Sequence, residues 1–404
     1  MRMSSSTLRS SNGRQASGSR LAACALLIAA LGLGALSACD GVHRRSATLQ
    51  RATKAVRHKP VQFTVAATGD FLLHRVVMDQ AASDARTEGR DGYDFTPMLA
   101  RLNPVVSGAD LGICHIETPL ASRSGPFLGY PAFNSPPQIV NAIRGLGYDT
   151  CSTASNHAID QGEPGVRRTL AALDGAGIRH AGTARSAEEA KKINLLDVKG
   201  LKIAHLSYTY GTNGIAKPAG RPWIVNDGLD AGRILADAAS AKKSGADAVM
   251  VSLHWGEEYQ HEATPEQRHL AAKLLRSSDV DLILGDHVHV VQPFERINGK
   301  WVVYGMGNQV ANPTANTPAT HRGLVALFTF TWDSREQRWR EQPSFVPTLV
   351  SPGPPIRLRT LVRGDATDQA AIDDTTRVVR SLGFDIPDAS DQVTSMKLQS
   401  PERN

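Results

Sequence analysis

Six apolar runs in this chain stop on polar residues, and that recurrence limits the possible folds more than any other feature. Residues 61–68 alternate and are β-branched before Gly69-Asp70. Residues 111–114 lead to Glu117, 150–154 to Asn156-His157, 248–253 to His254, 282–284 to His287 and His289, and 301–304 to Gly307-Asn308. Runs of this length read as strands; residues 203–207 form another. Between them, 137–146, 165–176, 229–244 and 265–276 carry apolar residues near helical spacing. Pro137 and Pro265 lie near helix starts, where proline is tolerated. Residues 324–331 and 339–347 read as a late antiparallel pair. Strand alternating with helix predicts an α/β fold with helices covering the sheet faces. In such sheets ligands bind outside the carboxyl ends of the strands, so residues far apart in sequence can meet.

The residues at those ends share a chemistry. His287 and His289 stand two positions apart after the 282–284 run and the Gly285 that breaks it. On extended backbone, i and i+2 point to one side, so both imidazoles are expected to face one point. Imidazole nitrogen binds Zn, Mn, Fe or Ni, at about 2.0–2.1 Å for Zn. Asp70, Glu117, Asn156 and His254 complete a mixed nitrogen and oxygen set. That set suits two divalent ions of the Mn, Fe or Zn type and not Ca²⁺, which takes oxygen alone. Two such ions need a bridging carboxylate, and Glu117 is placed to be it. Asn156 offers a carbonyl. His157 follows at once, as a general acid or a group that polarises substrate. His74, four residues beyond Asp70, is a candidate extra ligand.

The N-terminus reads as an address. Residues 1–20 hold four arginines and no acid, residues 21–36 are apolar, and Leu36-Ser37-Ala38-Cys39 follows. A basic region, an apolar region and a small-residue cleavage site make an export signal. The closing cysteine resembles a bacterial lipoprotein signal, which predicts cleavage after residue 38 and a lipidated Cys39 holding the chain at the outer face of the cell membrane. The formal charge is +6; losing the four arginines leaves +2. No basic stripe with interleaved aromatics remains, so no nucleic-acid partner is expected. Cys114 and Cys151 are the cysteines of the globular part. Both sit in apolar strand-like runs, where free cysteine packs as a small hydrophobe. Two buried thiols are preferred to a disulfide, although an exported protein can oxidise them.

Taken in order, Ala67-Thr68-Gly69-Asp70, Ile116-Glu117-Thr118-Pro119-Leu120, Ala154-Ser155-Asn156-His157-Ala158-Ile159-Asp160, Ser252-Leu253-His254-Trp255-Gly256-Glu257-Glu258-Tyr259, Gly285-Asp286-His287-Val288-His289-Val290-Val291-Gln292 and Gly305-Met306-Gly307-Asn308 resemble the CapA family of poly-γ-glutamate capsule synthesis. The resemblance runs from about residue 63 to 312. It implies a calcineurin-like metallophosphoesterase fold, with mixed β-sheets flanked by helices. It also implies metal-site roles for Asp70, Glu117, Asn156, His254, His287 and His289, with His157 beside them. Expected partners are an anionic polymer or phosphoester substrate and capsule-synthesis membrane proteins. Two positions depart from the family pattern. His115-Ile116-Glu117 stands where N-L-E is usual, making His115 a neighbour of the site or a further ligand. Ser155-Asn156-His157 stands where N-N-H is common.

The expected organisation is a signal at 1–38, a tether at 39–60, the CapA-like domain at 61–350, and a helical extension with a flexible tail at 351–404. Trp255 and Tyr259 are expected to wall a substrate cleft, with Glu257 and Glu258 on a solvated loop. The loop within 110–137, carrying Arg123, Phe127, Tyr130 and Phe133, is expected to form part of the cleft mouth. His205 and His261 read as structural or surface residues.

Overall fold

A computed structural model describes residues 61–312 and 317–392. The export signal, Cys39, the tether and the tail from residue 393 lie outside them. In chain order the strands are β1 (Gln62–Phe71), β2 (Leu111–Ile116), β3 (Thr150–Ser152), β4 (Arg179–Ala181), β5 (Leu195–Val198), β6 (Leu201–Thr209), β7 (Ala248–His254), β8 (Leu282–Asp286), β9 (Phe294–Ile297), β10 (Lys300–Val303), β11 (Asn308–Val310), β12 (Arg322–Asp333), β13 (Arg338–Val350) and β14 (Leu358–Thr360).

They form two sheets. The first runs β14-β13-β12-β1-β2-β3-β4, with β11 also paired to β1; the second runs β5-β6-β7-β8-β10-β9. The β1 pairs with β2 and β11 are parallel and its pair with β12 is antiparallel. Strand alternation explains how the sheets stack. Phe63, Val65 and Ala67 of β1 pack with Met250, Leu282, Leu284 and Trp301 of the second sheet. Ala66 and Phe71 turn the other way, onto Val77 and Met78 of helix Arg75–Thr87 and Ile143 of helix Ile139–Leu146. Helices Ala231–Lys243 and Pro265–Leu275 cover the outer face of the second sheet. Helix Pro265–Leu275 starts on a capping box between Thr264 and Gln267, with Pro265 in its first turn. The result is four layers, helix–sheet–sheet–helix, with the main apolar seam between the sheets. The expected α/β alternation holds, but the strands divide between two sheets.

Residues 351–392 belong to this body. β14 pairs with β13, and Val378 and Val379 of helix Ala366–Val379 enter the seam between the sheets. Among the described residues no helix is long and apolar enough to cross a membrane.

The cysteines correct an expectation. Cys114 and Cys151 lie opposite each other on the neighbouring parallel strands β2 and β3, with Cα atoms 4.4 Å apart, and are joined in a disulfide. Sequence spacing could not reveal that register.

Glu341 on β13 is buried, and its Oε2 has no hydrogen-bond partner. Burial lifts its pKa to about 8. The folded state therefore keeps a proton that the unfolded chain releases near pH 4.5. Stability is lost as pH rises from there towards 8. Glu341→Gln is expected to leave the melting temperature unchanged at pH 4 and to raise it at pH 8. A gain of about 2 kcal/mol is expected, since one pKa unit is worth about 1.4 kcal/mol; thermal melts at both pH values check it.

Candidate metal centre

The centre lies where the carboxyl ends of both sheets meet. Two Gly-Asp pairs build its base. Gly69 precedes Asp70 at the end of β1, and a Cβ on it would lie 2.0 Å from the Gly307 carbonyl oxygen. Gly285 precedes Asp286 at the end of β8, and a Cβ there would lie 1.9 Å from the Tyr304 carbonyl oxygen. At each place two backbones touch, and the following aspartate is carried into the buried space between them.

Asp70 Oδ1 accepts from the His287 amide at 3.2 Å, and Oδ2 lies 3.1 Å from His289 Nδ1. His289 Nδ1 is also 3.1 Å from Asn308 Oδ1, and His289 Nε2 lies 3.9 Å from Glu117. His254 Nε2 is 2.9 Å from Asn156 Oδ1. A proton on that nitrogen satisfies the amide oxygen and leaves Nδ1 as a bare lone pair. The His254 and His287 rings are 4.6 Å apart, and the Tyr210 ring sits 4.7 Å from His287. His157 Nδ1 is 2.8 Å from Asp160 Oδ2, an oxygen that also accepts from the Phe133 amide. Its Nε2 is thus the nitrogen left for a substrate. All six expected ligands and His157 are buried and gather here.

Backbone conformation corrects the reason for the histidine pair. His287 and His289 have φ of +94° and +59°. They follow β8 on left-handed backbone, which non-glycine residues rarely adopt, and do not alternate on a strand. Strain of this kind persists where the surroundings hold it, often at functional sites.

The polar inventory fits a divalent cation. Both Glu117 oxygens, both Asp286 oxygens, His254 Nδ1, His287 Nδ1 and His115 Nε2 are buried without a hydrogen-bond partner. Each such atom costs about 1–3 kcal/mol. Three donor sets have ligand atoms within 4.8 Å of one another: Asp70, His115 and His254; Asp70, Glu117 and His289; and Glu258, His287 and His289. Asp70 and His289 are each shared by two sets. Burial pushes the Glu117 and Asp286 carboxyls well above their usual range. Burial also lowers His115 to about 4 and His287 to about 3, and His254 well below its usual value. These imidazoles are neutral, the form that binds metal. Burial works against a charge on His289, but Glu117 and Asp70 outweigh it and hold it at about 10.

Three participants were not assigned from sequence. Asp286 and Asn308 stood within quoted motifs without a role, and Asp160 follows His157 at i+3. The repeated Gly-Asp pair was the available signal for Asp286. His115 joins a donor set directly. His74 does not; its Nδ1 is 3.2 Å from the Asn312 amide, and it lines the cleft. Trp255 is core, donating to the Tyr304 carbonyl at 2.9 Å, and does not wall the cleft. Tyr259, Glu258, Tyr130 and Phe133 do line it, in a cavity of about 560 Å³. Phe127 instead packs against Tyr93. His205 is structural, 3.1 Å from Thr150 Oγ1 and 3.0 Å from Ser252 Oγ.

Two stacked mixed sheets with helices outside, carrying buried carboxylates and imidazoles at their shared strand ends, define an α/β protein with a candidate divalent-metal centre. The chain belongs to the bacterial capsule synthesis protein PGA_cap family, whose model matches residues 64–313. It is 30% identical over 175 residues to the capsule biosynthesis protein CapA of Bacillus anthracis, covering 43% of this chain and 42% of that protein. It is 32% identical over 173 residues to the PGA biosynthesis protein CapA of Bacillus subtilis, covering 42% and 44%. The match therefore spans less than half the length of either relative. A probable polyglutamine synthesis accessory protein of Mycobacterium tuberculosis is 28% identical over 217 residues, covering 50% and 56%. Among solved structures, a phosphatase from Mycoplasma pneumoniae overlaps with a TM-score of 0.44 at 11% identity, covering 72% of this chain and 95% of that one. The calcineurin-like phosphoesterase YfkN of Bacillus subtilis gives 0.41 at 14%, covering 84% and 100%.

Proposed function

We propose that this protein takes part in making or exporting a poly-γ-glutamate capsule, lipid-anchored at the extracytoplasmic face of the cell membrane and carrying a dinuclear metal-dependent hydrolase centre. The observation that carries the hydrolase reading is the set of buried, unpartnered carboxylate and imidazole atoms from both sheets. The family supports the capsule assignment. The Cys114–Cys151 disulfide supports export, because disulfides persist in oxidising compartments.

Asp70, Glu117, Asn156, His254, His287 and His289 are the residues that would hold two ions of the Mn, Fe or Zn type. Divalent ions there supply Lewis acidity, lowering the pKa of a water and stabilising developing negative charge. His157 carries a proton at Nε2 to the leaving group, while Asp160 fixes its ring through Nδ1. Tyr130, Phe133 and Tyr259 line the approach.

The test uses the purified full chain. Elemental analysis is expected to find Mn, Fe or Zn, and a generic phosphodiester or poly-γ-glutamate is expected to be cleaved with Mn²⁺ present. Bound metal with no turnover on either would replace the hydrolase reading with that of a polyanion-binding accessory protein. Absence of metal would remove both.

A further inference from the structure

His74 stands at the N-cap of helix Arg75–Thr87, yet its side chain does not cap that helix. Serine, threonine, aspartate or asparagine would serve better there, and a residue that breaks a local rule points to another use. Its ring lies roughly perpendicular to Phe133, with centroids 5.4 Å apart, and the His157 ring stands the same way to Phe133 at 4.8 Å. Phe133 is buried, and its amide donates to Asp160. It therefore spaces the two imidazoles, and both line the metal cleft.

The two rings are anchored through the same nitrogen by partners of opposite kind. His157 Nδ1 lies 2.8 Å from a carboxylate oxygen of Asp160, so Nδ1 carries a proton and the neutral ring presents a lone pair at Nε2. His74 Nδ1 lies 3.2 Å from the Asn312 amide, which can only donate. The Leu72 carbonyl, 3.3 Å from that nitrogen, already accepts from the His74 amide at 2.9 Å. The neutral His74 ring thus carries its proton on Nε2, which has no hydrogen-bond partner among the described residues. Burial lowers the pKa of His74 to about 4 against the pull of the Leu72 carbonyl, and His289 and His157 add to the lowering. The positive end of the helix also opposes a charge on the ring. Well above pH 4, then, His74 is a fixed neutral donor while His157 exchanges a proton. No lysine or arginine lines the cleft among the described residues, so neutral groups are what its wall offers to substrate oxygens.

We propose that His74 donates through Nε2–H to an oxygen of the phosphoryl or carbonyl group under attack, alongside His157; this role as a catalytic residue rests on the hydrolase function proposed above. Negative charge grows on that oxygen in the transition state, and a donor already in place needs no reorganisation. The experiment uses the full chain loaded with Zn²⁺. Nitrogen-15 NMR of the imidazoles, with the His74 signal identified by its loss in His74→Gln, is expected to place the proton on Nε2 and to show that signal move when inorganic phosphate is added. His74→Ala is expected to lose about 10²-fold in kcat on the generic phosphodiester, with metal content and pH profile unchanged. His74→Gln, whose amide nitrogen can stand where Nε2–H does, is expected to recover at least tenfold of that loss. A proton on Nδ1, a signal unmoved by phosphate, or His74→Gln no better than His74→Ala at equal metal content would overturn the donor role and leave the hydrolase reading standing. Loss of metal from His74→Ala would overturn it too, making His74 a ligand. A wild type without turnover, whose His74 signal still moves with phosphate, would overturn the hydrolase reading while upholding the donor.

Discussion

His287→Ala/His289→Ala will strip the protein of divalent metal while leaving its secondary structure intact. Two neutral or polarisable nitrogens leave a centre whose donor sets each need three ligands, and one set loses both imidazoles at once. Under the proposed hydrolase function, turnover is expected to fall by at least about 10³-fold, because a divalent ion held there would supply the Lewis acidity. Stability of the metal-free protein adds a second readout. Losing His289 removes the imidazole 3.1 Å from Asp70 Oδ2, leaving that oxygen of the buried carboxylate without its partner while Oδ1 keeps the residue 287 amide. The metal-free double variant should therefore be less stable by about 1–3 kcal/mol. Full metal retention in the histidine variant, read by elemental analysis, would defeat the ligand assignment.

Much of that centre could be read from the chain because buried strands announce their own ends. The 248–253 run stops at His254, and β7 ends there. All of the 61–68 run except its first residue, together with Gly69-Asp70, falls within β1. Longer periodic segments were equally legible, including helices at Ile139–Leu146 and Pro265–Leu275. What stayed hidden depends on contacts between distant segments. β4 and β11 have three residues each, too few for a periodic pattern, and exist because a neighbouring edge was free. The split into two sheets is decided by which strands pair, a tertiary matter. The disulfide depends on β2 and β3 being neighbours in that order. Asp286 was hidden because it lies within β8 and is as buried as the apolar residues before it. His287 and His289 do converge on the centre, but on left-handed backbone after β8 and not by strand alternation.

Gly285→Ala is expected to cost more than any single change at the metal ligands. An added Cβ would sit 1.9 Å from the Tyr304 carbonyl oxygen, 2.5 Å from its carbon and 2.6 Å from Trp255 Nε1. No side-chain rotation relieves a clash with backbone, so β8 and the 304–306 segment must separate. That carbonyl accepts from Trp255 at 2.9 Å, and the Gly285 carbonyl accepts from the Met306 amide at 3.1 Å; both bonds lie in the path of the movement. Asp286 and His287 follow directly, so the displacement passes into the centre. A loss of more than about 4 kcal/mol is expected, within the range reserved for overpacking of a buried site combined with broken hydrogen bonds. Gly145 supplies the contrast. It lies in helix Ile139–Leu146 and has open space where a Cβ would go. Gly145→Ala should stabilise by about 0.5–1 kcal/mol through helix propensity alone. Denaturant melts of the two variants therefore shift in opposite directions. A Gly285→Ala protein that melts like the wild type and keeps its metal would show that the two strands do not need to touch for the aspartate and histidines beyond them to converge.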